Sequence, residues 1–549
     1  MREQTAIDAI AEGYLDEHLE LVPEERVYLG RAGKEGEYSD YSPAGSEAVI
    51  AVAKAALARI SAAEPTDDVD LVTKLDLTRD LTLSIAKHEA GFDQRNLNVI
   101  ASPAQELREI FDLMPTATET DWSHIAERMH NLPAAMNGYI DSLRSGIAAG
   151  NVPAIRQIEE NIDQATKNVA ADGFFFEFAA QGAAEHSALS KHLDEGAQKA
   201  AEAYAELGSF LRTELAPHAP TKDAVGRELY ALASSSFLGA EIDLDETYEW
   251  GIDELARMTD EQEAIAREIK PGASVLEAIA FLEGDPSLKL HGTKALQEWM
   301  QVTSDRAVEE LGRTHFDIAP EIRTLECMIA PTQSGGIYYT PPTDDFSRAG
   351  RMWWSVPEGV TEFDTWRELT TVYHEGVPGH HLQLGQAVYN KAQLNAWRRI
   401  AGTSGHAEGW ALYAERLMDE LGYLTTPTDR LGMLDGQRMR AARVVLDIGV
   451  HLEKKMPGGD KVWTGDDAFP FLRANVNMNE QFVRFEVNRY LGWPGQAPSY
   501  KVGQRIWEQL RDETARREGA AFDIKAFHKR ALDIGGVGLD TLKTAILGA

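Results

Sequence analysis

The chain has 549 residues, 43% of them hydrophobic, with 54 basic against 88 acidic side chains and a net charge of −34. Such acidity argues against nucleic acid or an anionic membrane surface as a partner, and no window approaches the ~20 apolar residues of a membrane span. The length exceeds one ordinary core and allows two or three lobes, while the one cysteine, Cys327, excludes an internal disulfide and any Cys-based zinc site.

The amino terminus, MREQTAIDAIAEGYLDEHLELVPEER, lacks the apolar stretch of about 7–15 residues of a secretion signal, so a cytoplasmic location is expected. Residues 1–315 read as a helical lobe. Ala-, Glu- and Leu-rich stretches with helical spacing dominate, as in 190–217 and 251–283, broken at Pro217, Pro220 and Pro271. Within it, Phe174-Phe175-Phe176 reads as core packing, with the lining of a substrate cleft as the functional alternative. The texture changes at 323–357, where short apolar runs punctuated by Gly and Pro predict a small sheet at the start of a second lobe, 316–549. In it, GGIYYTPP has the prolines and glycines of an edge strand.

Next comes the run Tyr373-His374-Glu375-Gly376-Val377-Pro378-Gly379-His380-His381, with three imidazoles and a carboxylate in eight residues. In a HExxH helix two histidines four apart share one face and hold one Zn²⁺, and the Glu beside the first activates a water. Here His374 and His380 are six apart, about 240° around a straight helix, and His374 and His381 lie roughly 10 Å apart along its axis. Neither pair reaches one ion with bonds of about 2 Å. The helix must therefore be interrupted, and Gly376, Pro378 and Gly379 supply the break. Looping out two residues returns His380 to the i, i+4 relation with His374. His374 and His380 are the predicted ligands, His381 is the alternative to His380, and Glu375 is the base.

Residues 402–420, GTSGHAEGWALYAERLMDE, predict a helix opened by Ser404 and Gly405, with Glu408 in its first turn as third ligand and Trp410, Leu412, Tyr413 and Leu417 as packing. Glu415 reads either as a carboxylate orienting a ligand His or as an ion-pair partner of Arg416 or Arg440. Over 435–453 a further helix carries Arg443, Asp447 and His451 at i, i+4, i+8. Asp447 can orient His451 as an oxyanion donor, or the two can form a structural hydrogen bond. The Pro-Gly-rich cluster from Asn488 to Lys501 offers Tyr500 as oxyanion donor and Arg489 as a grip for a substrate carboxylate, each with a loop-fixing role as the alternative.

The strings HEGVPGHHLQ, EGWALYAE, RVVLDIGVH and EVNRYLGWPGQAPSYKVG resemble those of a large bacterial family of unknown function that is grouped with the gluzincin metallopeptidases. Weaker likenesses in DLTRDLTLSIAKHEAGFDQRNLN and FDIKAFHKRAL extend the resemblance over most of the chain. AEGW is similar to the segment that supplies the third zinc ligand in gluzincin aminopeptidases, and the helical character is similar to carboxypeptidase Taq, angiotensin-converting enzyme and thimet-type oligopeptidases. The two-residue insertion between the histidines is the departure. The resemblance implies a mainly α, two-lobed gluzincin-like fold with a small sheet beside the metal helix, and an edge strand that pairs with substrate backbone, placing Tyr338 and Tyr339 in substrate binding. The expected activity is zinc-dependent hydrolysis of short peptides, of carboxypeptidase, dipeptidase or oligopeptidase type. The alternatives are amide hydrolysis on an acyl-amino metabolite and a non-catalytic peptide-binding relative.

Overall fold

The structure is a computed structural model and describes residues 2–330, 336–343 and 345–548. Helices dominate, and the sequence marks many of their starts. Thr5 with Asp8, Thr118 with Asp121 and Ser274 with Glu277 form capping boxes, in which a hydroxyl and a carboxylate satisfy the first free amides of a helix. Among the described residues no helix is long and apolar enough to cross a membrane.

The helices pack around three cores. The first joins Ala6–Leu21, Pro43–Ala62 and Asp68–Glu89 through Ile7, Leu15, Ala53, Ile60, Leu77 and Leu81, and is closed by Trp397 from far along the chain. The second runs from Leu97 to Leu215 around the long Glu119–Ala149 helix. Phe175 is fully buried in it with Phe174 and Phe176 packed alongside, so the triple-Phe run is core packing. The third and largest core extends from Tyr230 to Leu542. The Leu244–Ile269 helix lies in it against the Pro427–His451 helix, where a Cβ on Gly251 would come within 2.8 Å of Val444. This core contains residues on both sides of the expected division at 315. Residues 230–315 contribute much of their apolar surface to this core, because Tyr248, Met258 and Ile265 find their partners far downstream.

The small sheet stands where it was expected. Strand β1 (Lys289–His291) pairs antiparallel with β5 (Glu362–Asp364), while β2 (Leu325–Ile329), β3 (Ile337–Thr340) and β4 (Gly350–Trp354) form a separate sheet in the order β2-β4-β3. β3 is an edge strand, antiparallel to β4. Gly335, the first residue of the predicted edge segment, lies outside the described residues. Leu325, Cys327, Met352 and Trp354 point inward onto Leu296, Met300 and Val372, which seats the sheet on the helix Thr365–Glu375.

One contact sets the spacing of the helices that build the site. Gly405 and Gly409 on the Ser404–Glu420 helix meet Gly503 on the Ser499–Glu518 helix. A Cβ on Gly503 would lie 2.2 Å from the Gly405 carbonyl oxygen, and one on Gly409 would lie 2.5 Å from the Gly503 carbonyl carbon. Backbone meets backbone, so neither helix yields by a rotamer change. Gly503→Ala is expected to destabilise the chain by about 1–3 kcal/mol, read as a lower denaturation midpoint.

Two imidazoles are sealed inside this framework. His528 hydrogen-bonds Tyr413 at 2.8 Å and stacks on Phe316, and His451 lies under the Tyr490 carbonyl at 3.1 Å. Burial pushes them down to about 3 and about 4 respectively. The unfolded chain protonates both below pH about 6.5 while the folded chain resists, so stability is full above that pH and falls as pH drops. The thermal midpoint is expected to decline from pH 6.5 to 5, above most carboxylate titration, and a His451→Gln/His528→Gln double variant is expected to decline less steeply.

Candidate metal centre

The helix Thr365–Glu375 stops at the first His-Glu pair, and a second helix, His380–Tyr389, begins at the next histidine. Between them the ladder widens. The Gly379 amide donates to Tyr373 O, six residues back at 3.1 Å, where an uninterrupted helix would reach four back. This is the expected two-residue loop-out, made as a break between two helices. Glycine is obligatory at its end, since a Cβ on Gly379 would lie 1.9 Å from the His374 carbonyl oxygen. The Val377-Pro378 bond is cis. Trp410, two residues past Glu408, donates its indole N–H to Pro378 O at 2.8 Å and so ties the turn to the Ser404–Glu420 helix.

That helix starts at the predicted Ser404, with Thr403 as its cap. His374, His380 and Glu408 each direct one donor atom into a common space, all within 4.8 Å of one another. Glu408 Oε2 is 3.3 Å from His374 Nε2 and 3.7 Å from His380 Nε2. It is buried without a hydrogen-bond partner among the described residues. Burial disfavours its charge, yet the two imidazoles hold it well below the usual carboxylate range. For His374 burial likewise opposes the charge, and Glu408 and Glu415 outweigh it, pushing the imidazole up to about 10. Two nitrogens and an oxygen converge here from three helices, a donor set that could hold a metal ion.

Glu415 takes the first of its two predicted roles. Its Oε1 lies 2.8 Å from His374 Nδ1, and its Oε2 accepts from Gln437 Nε2 at 3.1 Å. The Nδ1–H donated to Glu415 turns Nε2 toward Glu408. Glu375, next to His374, is 6% exposed, and burial raises its carboxyl above the usual range.

His381 points elsewhere. Its Nε2 lies 2.6 Å from Ile322 O and its Nδ1 lies 2.9 Å from the Tyr339 hydroxyl, with no Cβ on Gly350 to obstruct the pair. The structure thus separates the two adjacent histidines, giving His380 to the cluster and His381 to the sheet. Tyr339 is corrected with it, because its hydroxyl anchors the sheet rather than facing substrate. Tyr338 alternates to the other face, is 42% exposed and stacks on Trp353.

The remaining predicted residues divide. Tyr500 stands by the cluster: burial and the Glu408 charge push its phenol up to about 12, which keeps its proton available for donation. Arg489 does not present its fork to a ligand. Glu486 accepts from both Nε and a terminal nitrogen, at 3.2 and 2.8 Å, and Gln496 takes another N–H. His451 is fully buried, and Asp447 does not orient it. The two are 3.8 Å apart, and Asp447 Oδ2 accepts instead from Tyr230 and the Gly495 amide. The helix axis explains the error. Gln437 reaches Glu415, and His451 sits fourteen residues further on, about 21 Å away along the axis at 1.5 Å per residue.

Three contributors are absent from the sequence-based set. Gln437 supports Glu415, Lys501 donates to Gln437 Oε1 at 2.8 Å, and Arg440 faces the Tyr500 ring. Gln437 and Arg440 lie three apart on a helix face that also carries Arg443, a periodicity that was readable. A cavity of about 980 Å³ lies away from the cluster. It opens between the amino-terminal helices and the Leu491–Pro494 turn, lined by Tyr14, Lys87, Glu106, Phe237 and Trp493 among others, and includes none of His374, His380 or Glu408.

No curated protein matches the chain. Two solved structures share its fold. One is a putative lipoprotein from Colwellia psychrerythraea, 21% identical, with a TM-score of 0.84 over 99% of each chain. The other is a putative lipoprotein of unknown function from Shewanella oneidensis, 19% identical, with a TM-score of 0.77 over 99% of this chain and 100% of that one. At these identities the likeness concerns the fold alone. The family model described as bacterial protein of unknown function (DUF885) matches residues 23–546, and the chain belongs to that family.

Proposed function

We propose that the chain is a zinc-dependent peptidase of gluzincin type that hydrolyses short peptides, built as two helical lobes with a small sheet beside the metal. The observation that carries the reading is the convergence of His374, His380 and Glu408 on one space, with a buried Glu408 oxygen that lacks a hydrogen-bond partner. His374, His380 and Glu408 would hold the ion, with Glu415 fixing His374. A bound zinc supplies Lewis acidity, which acidifies a water and polarises a carbonyl.

The chain's own groups do the rest. Glu375 ligates nothing in this scheme. Its burial raises its proton affinity, so its carboxylate takes a proton from the attacking water and then delivers it to the leaving amine. Tyr500 keeps its proton at neutral pH and donates to the oxygen on which negative charge develops. The edge strand β3 offers unpaired backbone groups on its outer side to an extended peptide, with Tyr338 exposed on the same strand.

Elemental analysis of the purified chain is expected to find about one zinc per molecule. His380→Ala is expected to lose it, His381→Ala to keep it, and Glu415→Ala to weaken its affinity about 10–100-fold. Glu375→Gln is expected to keep the metal and lose about 10²–10⁴-fold in kcat on a peptide mixture read by mass spectrometry. A chain free of transition metal that gains no hydrolysis on addition of Zn²⁺ would sink the reading. Turnover of acylated amino acids with intact peptides left untouched would move it to amide hydrolysis of non-peptide metabolites.

A further inference from the structure

The Pro427–His451 helix sends a series of polar side chains toward the cluster, and one of them is left without an answer. Gln437 bonds Glu415, and Arg440, one turn later, faces the Tyr500 ring with its guanidinium 5.9 Å from the ring centroid. Gly436 makes room for it: a Cβ there would meet an Arg440 terminal nitrogen at 2.9 Å. Arg440 therefore stands one turn beyond the residue that holds Glu415, against the ring of the proposed oxyanion donor.

The neighbouring arginines are all satisfied within the chain. Arg416 pairs with Glu261 at 2.8 Å, Arg438 donates to Gln262 and Asn475, Arg443 pairs with Glu486 at 2.8 Å, and Arg489 shares that same carboxylate. Arg440 makes no ion pair among the described residues, and its Nε is buried with no hydrogen-bond partner. A buried donor without an acceptor is costly unless a group from outside completes it.

We infer that Arg440 is the anchor for the free α-carboxylate of the substrate, so that the site acts at the carboxyl end of peptides, releasing a terminal residue or splitting a dipeptide. The guanidinium fork matches a carboxylate in two-point fashion. Its place beside Tyr500 brings that carboxylate next to the scissile amide rather than many residues away. The role assigned to Arg489 from sequence thus passes to Arg440, since Glu486 already occupies the Arg489 fork. The inference rests on the peptidase reading for its chemistry, but its binding half stands independently of turnover.

The test uses one mixed tetrapeptide library made twice, with free C-termini and as C-terminal amides, on the full zinc-loaded chain. The wild type is expected to favour the acids over the amides by about 10–100-fold in kcat/KM, the worth of a charged hydrogen-bonded contact. Arg440→Gln is expected to bring that ratio close to one, mainly through KM, and Arg440→Lys to retain part of it. Zinc content and thermal midpoint check that the variants fold, and the lysine variant serves if the glutamine one does not. In parallel, equilibrium dialysis of both libraries against Glu375→Gln, with and without Arg440→Gln, reads retention without hydrolysis. Preferential retention of acids that disappears with Arg440 supports the anchor even if neither library is cleaved, in which case the peptidase reading alone falls. A preference for acids that survives Arg440→Gln, or no preference in the wild type, overturns the anchor while leaving zinc-dependent hydrolysis standing.

Discussion

The buried hydrogen bond between His374 Nδ1 and Glu415 is the interaction on which the cluster depends. It fixes the orientation of the ring and turns Nε2 toward Glu408. Glu415 is itself held by Gln437, Gln437 by Lys501, and Lys501 by Glu254 and Gln504, so the orientation of one ring is secured from four further helices. Each link is buried, where an unmet polar group is costly, so the chain of bonds transmits position rather than merely decorating the core. The same bond explains why the third core has to reach back to the Leu244–Ile269 helix, which brings Glu254 to Lys501.

Around that bond the backbone solves a steric problem. The loop-out between Glu375 and His380 passes so close to the preceding helix that position 379 has no space for a side chain, and the turn would be under-determined without the Trp410 N–H on Pro378 O. The Ser404–Glu420 helix therefore both supplies Glu408 and holds the turn that returns His380. Glycines also let that helix approach its other neighbour, with Gly405 and Gly409 against Gly503. His381 completes the frame from the other side, locking the sheet to the second short helix through Tyr339 and Ile322. The edge strand β3 is thereby kept at a fixed height relative to His380, one residue away.

Wherever local spacing governed the outcome, the sequence was informative. A spacing of six from His374 to His380 could not work on a straight helix, and Gly376, Pro378 and Gly379 told how it would be broken. Glu408 and Glu415, seven apart on one helix, lie on nearly the same face and both arrive at His374. Reading failed where a polar residue had a choice of partners from distant segments. Arg489 found Glu486, three residues earlier on its own helix. His451 was carried too far along its helix to reach the cluster, and Tyr339 met His381.

The sequence by itself determined family membership, the helical character, the small sheet and the donor types of the candidate centre, because composition, periodicity and short-range spacing are written in consecutive residues. Only the tertiary structure decided which of two adjacent histidines joins the cluster, which arginine comes to face the Tyr500 ring, and that a cavity of about 980 Å³ lies away from the cluster. Those outcomes depend on which long-range partner each polar group meets first when the helices pack. A buried hydrogen bond, once made, removes that group from every other role, and spacing along the chain does not reveal which bond that will be.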